Sequence, residues 1–181
     1  MEKINLLVIL GTGHKGSSSE KIAEFLFQEI KKKSDVNVSY LDVKTLNLSV
    51  SDDGAYKVDE NVSKQLAETD GFIIVFPEYN HSFPGSLKIF LDSYYDEYLR
   101  KPVGMVGISS GVFGGARAMM SLIPVLRRLG MVVIQKDLNI GTAGSFLNED
   151  NQARDPEFNK RLEVFLQDLI WYASALKSAK K

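Results

Sequence analysis

The sequence predicts an α/β fold, a single open parallel sheet with helices on both faces. Two observations predict it. Apolar runs of strand length alternate along the chain with longer segments of helical periodicity, the pattern of consecutive βαβ units. Three of those runs end in loops rich in glycine, serine and hydrogen-bonding side chains, and open α/β sheets bind ligands beyond the carboxyl ends of their strands. At 181 residues the chain suits one domain, residues 1–181, with a sizeable core.

Ile4 to Leu10 is a nearly unbroken apolar strand. Gly11-Thr12-Gly13-His14-Lys15-Gly16-Ser17-Ser18-Ser19 follows, and then a helix over 18–33 with apolar positions Ile22, Ala23, Leu26, Phe27 and Ile30. Strand, Gly/Ser-rich turn and helix make an anion-binding arrangement. The first N–H groups of the helix point outward, its dipole favours negative charge there, and the hydroxyls of Thr12, Ser17, Ser18 and Ser19 add donors. The loop lacks the Lys-Ser/Thr end of a P-loop, and Gly11, Gly13 and Gly16 match the dinucleotide fingerprint only loosely. A tight turn capped by serine is the alternative; it explains one glycine and one serine more easily than three adjacent serines beside a basic pair. A strand over 36–41 comes next. Residues 45–58 lack periodicity and form a long connection to a helix over 59–69.

The strand over 71–77 closes with Phe76-Pro77-Glu78-Tyr79-Asn80-His81-Ser82-Phe83-Pro84-Gly85. Prolines on either side stiffen this loop, so main-chain groups of Glu78, Tyr79 and Asn80 can be held at set angles toward the edge of a flat heterocycle. The alternative is an ordinary strand-to-helix connection with Pro84 in the first helical turn and Ser82 as its cap. The helix over 84–97 brings Phe90, Tyr94, Tyr95 and Tyr98 together with Leu87, Leu91 and Leu99, more aromatic surface than one helix normally buries on a sheet. Either a partner subunit covers the excess, or one stripe is buried with its hydroxyls at the rim. The strand over 102–109 runs into Ser109-Ser110-Gly111-Val112-Phe113-Gly114-Gly115-Ala116-Arg117 and a helix over 115–129. A strand over 131–135 and a helix over 156–177 complete the series, with Trp171 and Tyr172 read as packing residues.

Composition narrows the chemistry. With no cysteine, disulfides, thiolate catalysis and cysteine-ligated metals are excluded, and His14 and His81 stand in different loops without zinc spacing. No metal site is expected, and any redox chemistry must come from an organic cofactor. A net charge of −1 offers no basic field for nucleic acid. No apolar run has the length of a signal peptide or membrane span, so the cytoplasm is the default location.

Taken together, the loops at 11–19, 77–85 and 109–117 resemble those of the NADPH-dependent FMN reductase family of flavodoxin-like flavoproteins, which includes quinone, azo-dye and chromate reductases. The family's features are a strand-Gly-Ser-x-Arg-x-x-Ser phosphate loop, Pro-Glu-Tyr-Asn followed by Ser-x-Pro-Gly, and a Ser/Gly-Gly-x-Arg loop after the fourth strand. The resemblance implies a flavodoxin-like three-layer sandwich whose five-stranded parallel sheet has the order 2-1-3-4-5, with FMN at the switch point between the first and third strands. It implies that Thr12, His14, Ser17, Ser18 and Ser19 hold the FMN phosphate. Pro77, Glu78, Tyr79 and Asn80 would run along the isoalloxazine and contact its pyrimidine edge, and Ser109, Ser110 and Gly111 would approach its other side. The implied activity is hydride transfer from NADPH or NADH to FMN N5, followed by ping-pong reduction of a small-molecule acceptor: a quinone, azo or nitro compound, flavin or metal oxyanion. No side chain is assigned as a catalytic acid or base. A homodimer or homotetramer is implied, with residues 45–58 at a subunit interface beside the flavin.

Two positions depart from the family pattern. His14 replaces the usual arginine; arginine is always charged and grips phosphate with paired N–H bonds, whereas histidine titrates near neutral pH, so phosphate binding is expected to be weaker and pH-dependent, with Lys15 adding charge. The alternative for His14 is a solvated loop residue. His81 stands where the family often has a small residue. Two other functions stay open: a one-electron flavodoxin-type carrier, opposed by the near-zero net charge and the Pro77–Asn80 loop, and a flavin-binding regulatory protein.

Overall fold

The computed structural model of the chain describes residues 3–48 and 58–179. In β1 (Ile4–Leu10), Ile4, Leu6, Val8 and Leu10 enter one apolar cluster, while Leu7 and Ile9 enter another on the opposite face. Strand β3 (Gly71–Pro77) divides likewise, Ile73 and Val75 against Phe72, Ile74 and Phe76. Strand β4 (Pro102–Ile108) sends Val106 and Ile108 to the first cluster and Val103 and Met105 to the second. A strand buried on both faces needs no polar positions, which is why these segments read as continuous apolar runs.

With β2 (Val36–Asp42) and β5 (Val132–Val133) at its edges, the sheet has the order β2-β1-β3-β4-β5, and every pairing is parallel. This is the expected flavodoxin-like order. The first cluster lies beneath α1 (Ser18–Lys31) and α5 (Phe158–Ala179), the second beneath α2 (Glu60–Glu68), α3 (Gly85–Asp92) and α4 (Ala116–Arg128). Helix α1 docks through Ile22, Ala23, Leu26 and Ile30, an apolar stripe at helical spacing. Lys101, buried just ahead of β4, donates from Nζ to the carbonyls of Leu66 (2.7 Å) and Ala67 (2.8 Å) and so satisfies the C-terminal end of α2.

The fifth strand differs from the expectation. Val132 and Val133 pair with Pro102 and Val103, after which a further strand, β6 (Leu138–Ile140), pairs with Val106 to Ile108 of the same neighbour. Between these registers β4 has two residues, 104 and 105, while the edge has four, 134 to 137; the two extra residues leave the ladder as a bulge. Asp137 fills the gap by accepting the Met105 N–H, and desolvation there pushes its pKa up to about 6 against that bond's opposing effect. Gly104 faces α5 at this point: a Cβ would stand 2.4 Å from the Phe165 ring.

The expected helix over 84–97 ends at Asp92, and a short 3-10 turn covers Asp96–Tyr98. Glu97 accepts both the Tyr95 N–H and the Ser63 hydroxyl, which ties the chain to α2 instead of prolonging α3. The aromatic surplus is absorbed within the chain. Phe90, Tyr94 and Tyr98 are buried, Tyr98 edge-on to Phe72 at 5.7 Å, and of this group only Tyr95 is exposed. Trp171, read as a packing residue, is instead 64% exposed and stands edge-on to Tyr172. Of the segment 45–58, expected at an interface, Leu46 and Leu48 pack half-buried against the second cluster, while residues 49–57 lie outside the described residues. Among the described residues no helix is long and apolar enough to cross a membrane.

Candidate functional site

The sheet order reverses between β1 and β3, so the loops leaving their carboxyl ends diverge and open a crevice. Three loops frame it, and hydrogen bonds fix them to one another. Gly11 N–H donates to Val75 O (2.8 Å) and Glu78 N–H to Ile108 O (2.8 Å), carrying the β1–β3 and β3–β4 ladders to their last rungs. Beyond the ladder, Thr12 Oγ1 and Tyr79 Oη are hydrogen-bonded at 3.2 Å.

The first loop is an anion cradle with some donors already committed. Ser17 caps α1, its Oγ accepting the Glu20 N–H, while the Glu20 carboxylate reaches back to the Gly16 N–H (2.7 Å), a variant of the capping box. Lys44 pairs with Glu20 at 3.0 Å; that hydrogen bond, together with the one from Gly16, holds the Glu20 carboxyl below its usual pKa. Thr12, expected at the phosphate, is fully buried and also accepts the His14 N–H (3.2 Å), so its hydroxyl joins two loops. Ser19 is buried and Ser18 half-buried, and among the described residues their main-chain N–H groups, in the first turn of α1, meet no acceptor. His14 and Lys15 are exposed beside them.

The second loop owes its stiffness to a hairpin as well as to its prolines. Tyr79 and Ser82 exchange both main-chain bonds (2.8 and 2.9 Å), and the two residues between them, Asn80 and His81, have φ of 49° and 64°. This is the geometry of a two-residue hairpin of the primed type. Ser82 does not cap α3: its Oγ meets Ser121 Oγ at 3.0 Å, and Pro84 occupies the cap position without a side-chain bond. Pro77 is buried at the end of β3, Tyr79 and Asn80 are exposed, and the Glu78 side chain is only 5% exposed. Glu78 Oε1 accepts from Arg117 Nε (2.7 Å) and Nη2 (2.6 Å), while Glu78 Oε2 is buried without a partner among the described residues.

In the third loop, Ser109 Oγ donates to Gly111 O (2.8 Å), Ser110 and Gly111 are exposed, and open space lies beside Gly111 where a Cβ would be. Gly115, at φ 75°, must be glycine: a Cβ there would meet the Ile108 nitrogen at 2.6 Å. Residues beyond β6 back this loop through Thr142 N–H to Gly111 O and Ala143 N–H to Ser109 O. That wall was absent from the sequence reading, since a three-residue strand gives too short a pattern to register.

These features fit FMN. Outward N–H groups beside two basic side chains suit a phosphate, and nothing crowds the space beside Gly111. An open groove of about 710 Å³ along α1 and β2 shares Lys15 and Gly16 with the first loop but none of the other proposed contacts. Among the described residues no cluster of side chains suits a metal ion.

Comparison with known proteins agrees with the fold and the loops. The sequence profile of the NADPH-dependent FMN reductase family matches residues 4–145. The quinone reductase of Escherichia coli K12 is 33% identical over 142 residues, covering 75% of this chain and 76% of that protein. The FMN-dependent NADPH-azoreductase of Staphylococcus aureus is 24% identical over 179 residues, 93% of this chain and 94% of the relative. Among solved structures, the flavoenzyme NAD(P)H:(acceptor) oxidoreductase FerB of Paracoccus denitrificans superposes with a TM-score of 0.79 at 23% identity, covering 95% of this chain and 98% of that one, a likeness of fold. A family match across all three crevice loops, on a sheet of the expected order, establishes that this chain belongs to the NADPH-dependent FMN reductase family and is an FMN-dependent oxidoreductase.

Proposed function

We propose that the chain takes hydride from NADPH or NADH and passes the electrons to a small acceptor of the quinone, azo, nitro, flavin or metal-oxyanion type, in ping-pong order at one face of its cofactor. The observation that carries this reading is the convergence of three loops into one pre-formed crevice with unmet donors at α1 and an open wall at Gly111. Bound FMN supplies hydride acceptance at N5 and onward delivery of the electrons. The chain's own work is positioning. The N–H groups of Ser18 and Ser19, with Ser17 as cap, hold the phosphate, and His14 and Lys15 contribute charge. Tyr79 and Asn80 lie along the pyrimidine edge, joined by Pro77 and Glu78, while Ser109, Ser110 and Gly111 flank the other side. Thr12 aligns the first two loops.

A homodimer or homotetramer belongs to this proposal. Its apolar contact surface is sought at Val112, Phe113 and Met120, exposed by 78%, 63% and 70%, and not on the buried aromatics around α3. The deciding experiment loads purified protein with FMN, desalts it and adds NADPH without oxygen. Retained flavin that bleaches and is reoxidised by a quinone supports the reading; retained flavin that NADPH and then NADH both leave yellow refutes it. His14→Ala should weaken FMN binding several-fold at pH 6 and less at pH 8, because only the protonated imidazole pairs with phosphate. Equal losses at both pH values would remove His14 from the site.

A further inference from the structure

The geometry points to Arg117 as a positioning residue for the flavin ring: it clamps the hairpin that reads the ring's edge, and we propose that the clamp closes only on a neutral His81. This role rests on the cofactor reading above.

Arg117 stands in the first turn of α4 and makes contacts in three directions. Its Nε and Nη2 bind Glu78 Oε1, its Nη1 lies 2.9 Å from His81 Nε2, and its Cζ lies 5.3 Å from the centre of the Phe113 ring. One guanidinium therefore ties the β4–α4 loop to both sides of the Tyr79–Ser82 hairpin. The hairpin requires such a tie, because two successive non-glycine residues in the left-handed region are strained and persist only where surrounding contacts hold them. Tyr79 and Asn80, assigned to the ring edge, lie between Glu78 and His81, so the clamp grips the segment immediately before and immediately after them.

The chemistry of the clamp fixes a protonation state. Arginine keeps its charge at every relevant pH, and each of its nitrogens is a donor only. The nitrogen of His81 that faces Nη1 must therefore present a lone pair, which makes His81 neutral with its proton on Nδ1. Protonation would set two donors face to face and open the contact. The charged groups that face His81 are Arg117 from α4 and Glu78 from its own hairpin; among the described residues no other titratable side chain is bonded to this cluster. Once His81 takes up a second proton, the hairpin loses its outer tie and ring binding weakens. His14 acts in the opposite sense, since its protonation favours the phosphate.

The test compares wild type with His81→Asn, which tolerates the left-handed turn and does not titrate. FMN affinity is measured by flavin fluorescence from pH 5.5 to 8. The contribution of His14 is common to both proteins, so the ratio of the two dissociation constants isolates His81. That ratio, wild type over variant, should rise about fivefold on acidification, and Arg117→Met should abolish the rise while weakening binding at every pH. A constant ratio overturns the proposal. Independently of flavin, nitrogen-15 correlation spectra of the apoprotein at pH 8 should show His81 as the Nδ1–H tautomer; the Nε2–H tautomer overturns the clamp and leaves the cofactor reading standing. Failure of the wild type to bind FMN at any pH would overturn the cofactor reading and the positioning role with it.

Discussion

Thr12→Val tests how the crevice is assembled. The side chain is fully buried, and valine keeps its branched shape while deleting the hydroxyl. Two bonds disappear, the 3.2 Å contact with Tyr79 Oη and the 3.2 Å bond from the His14 N–H. Both are long for their type, and both partners reach water, since Tyr79 is 42% exposed and His14 lies in an exposed loop. Each lost bond should therefore count near ~0.5 kcal/mol, the low end of the net range, giving a destabilisation of about 1 kcal/mol in urea unfolding of the apoprotein. The effect on FMN has the same origin: two loops no longer held in register must be ordered on binding, and about 1 kcal/mol corresponds to roughly fivefold weaker affinity. Thr12→Ser keeps the hydroxyl and loses a buried methyl, so it should lower stability by about 1 kcal/mol while leaving affinity near wild type. Urea titration and flavin fluorescence on the three proteins give the answer. If valine at this position binds FMN as tightly as threonine and serine does not, the hydroxyl link is not what aligns the loops, and the reasoning fails.

Two further predictions concern the scaffold. Burial raises the Asp137 pKa from 3.8 to about 6, so its protonated form is the better fit: the favourable contribution is complete below pH 3.8 and is lost as pH rises through 6. Asp137→Asn, which can still accept the Met105 N–H, should stabilise the protein at pH 7 and hardly at all at pH 4. A shift of that size at full strength is about 3 kcal/mol, and because the residue is exposed overall, solvent screening reduces the expected gain to about 1 kcal/mol. Equal effects of the substitution at the two pH values would count against the gap-filling role. Lys101→Met should cost about 1 kcal/mol by leaving the Ala67 carbonyl unmet and the Leu66 carbonyl with only the Thr69 N–H. FMN affinity should stay unchanged, because Lys101 enters β4 at the end of the sheet opposite the crevice; a tenfold loss of affinity would contradict that separation.

The parts of this protein that were legible in its sequence are those where one physical pattern acts alone. β1, β3 and β4 are buried on both faces, so they appear as apolar runs with nothing to interrupt them. Their loops carry glycines and serines because sharp turns and helix starts require them. What escaped the sequence arises where two segments distant in sequence decide the outcome together. Helix α3 stops at Asp92 because Glu97 finds Ser63 on α2, a partner no local window contains. The edge strand breaks in two because Asp137 can replace a missing rung at Met105. Thr12 was read as a phosphate donor from its place in a polar loop, and only the position of Tyr79 turns its hydroxyl into a link. Arg117 was visible as part of a motif, but its contacts with Glu78 and His81 depend on the left-handed turn of Asn80 and His81.

The two histidines of the chain both stand in crevice loops, and the roles proposed for them above would bear on the cofactor with opposite signs. On that proposal a protonated His14 would add charge at the phosphate, while a protonated His81 would lose its bond to Arg117. The N–H groups at the start of α1 carry no titrating proton, so binding through them would be constant across the range. The substitution of histidine for arginine in the first loop therefore need not make the intact protein acid-dependent: a gain at one end of the cofactor on acidification is offset by a loss at the other. Wild-type affinity should vary little between pH 6 and 8, while His14→Ala binds less tightly as pH falls and His81→Asn binds more tightly. A wild type whose pH profile is as steep as that of either variant would show that the two groups do not act on the same ligand.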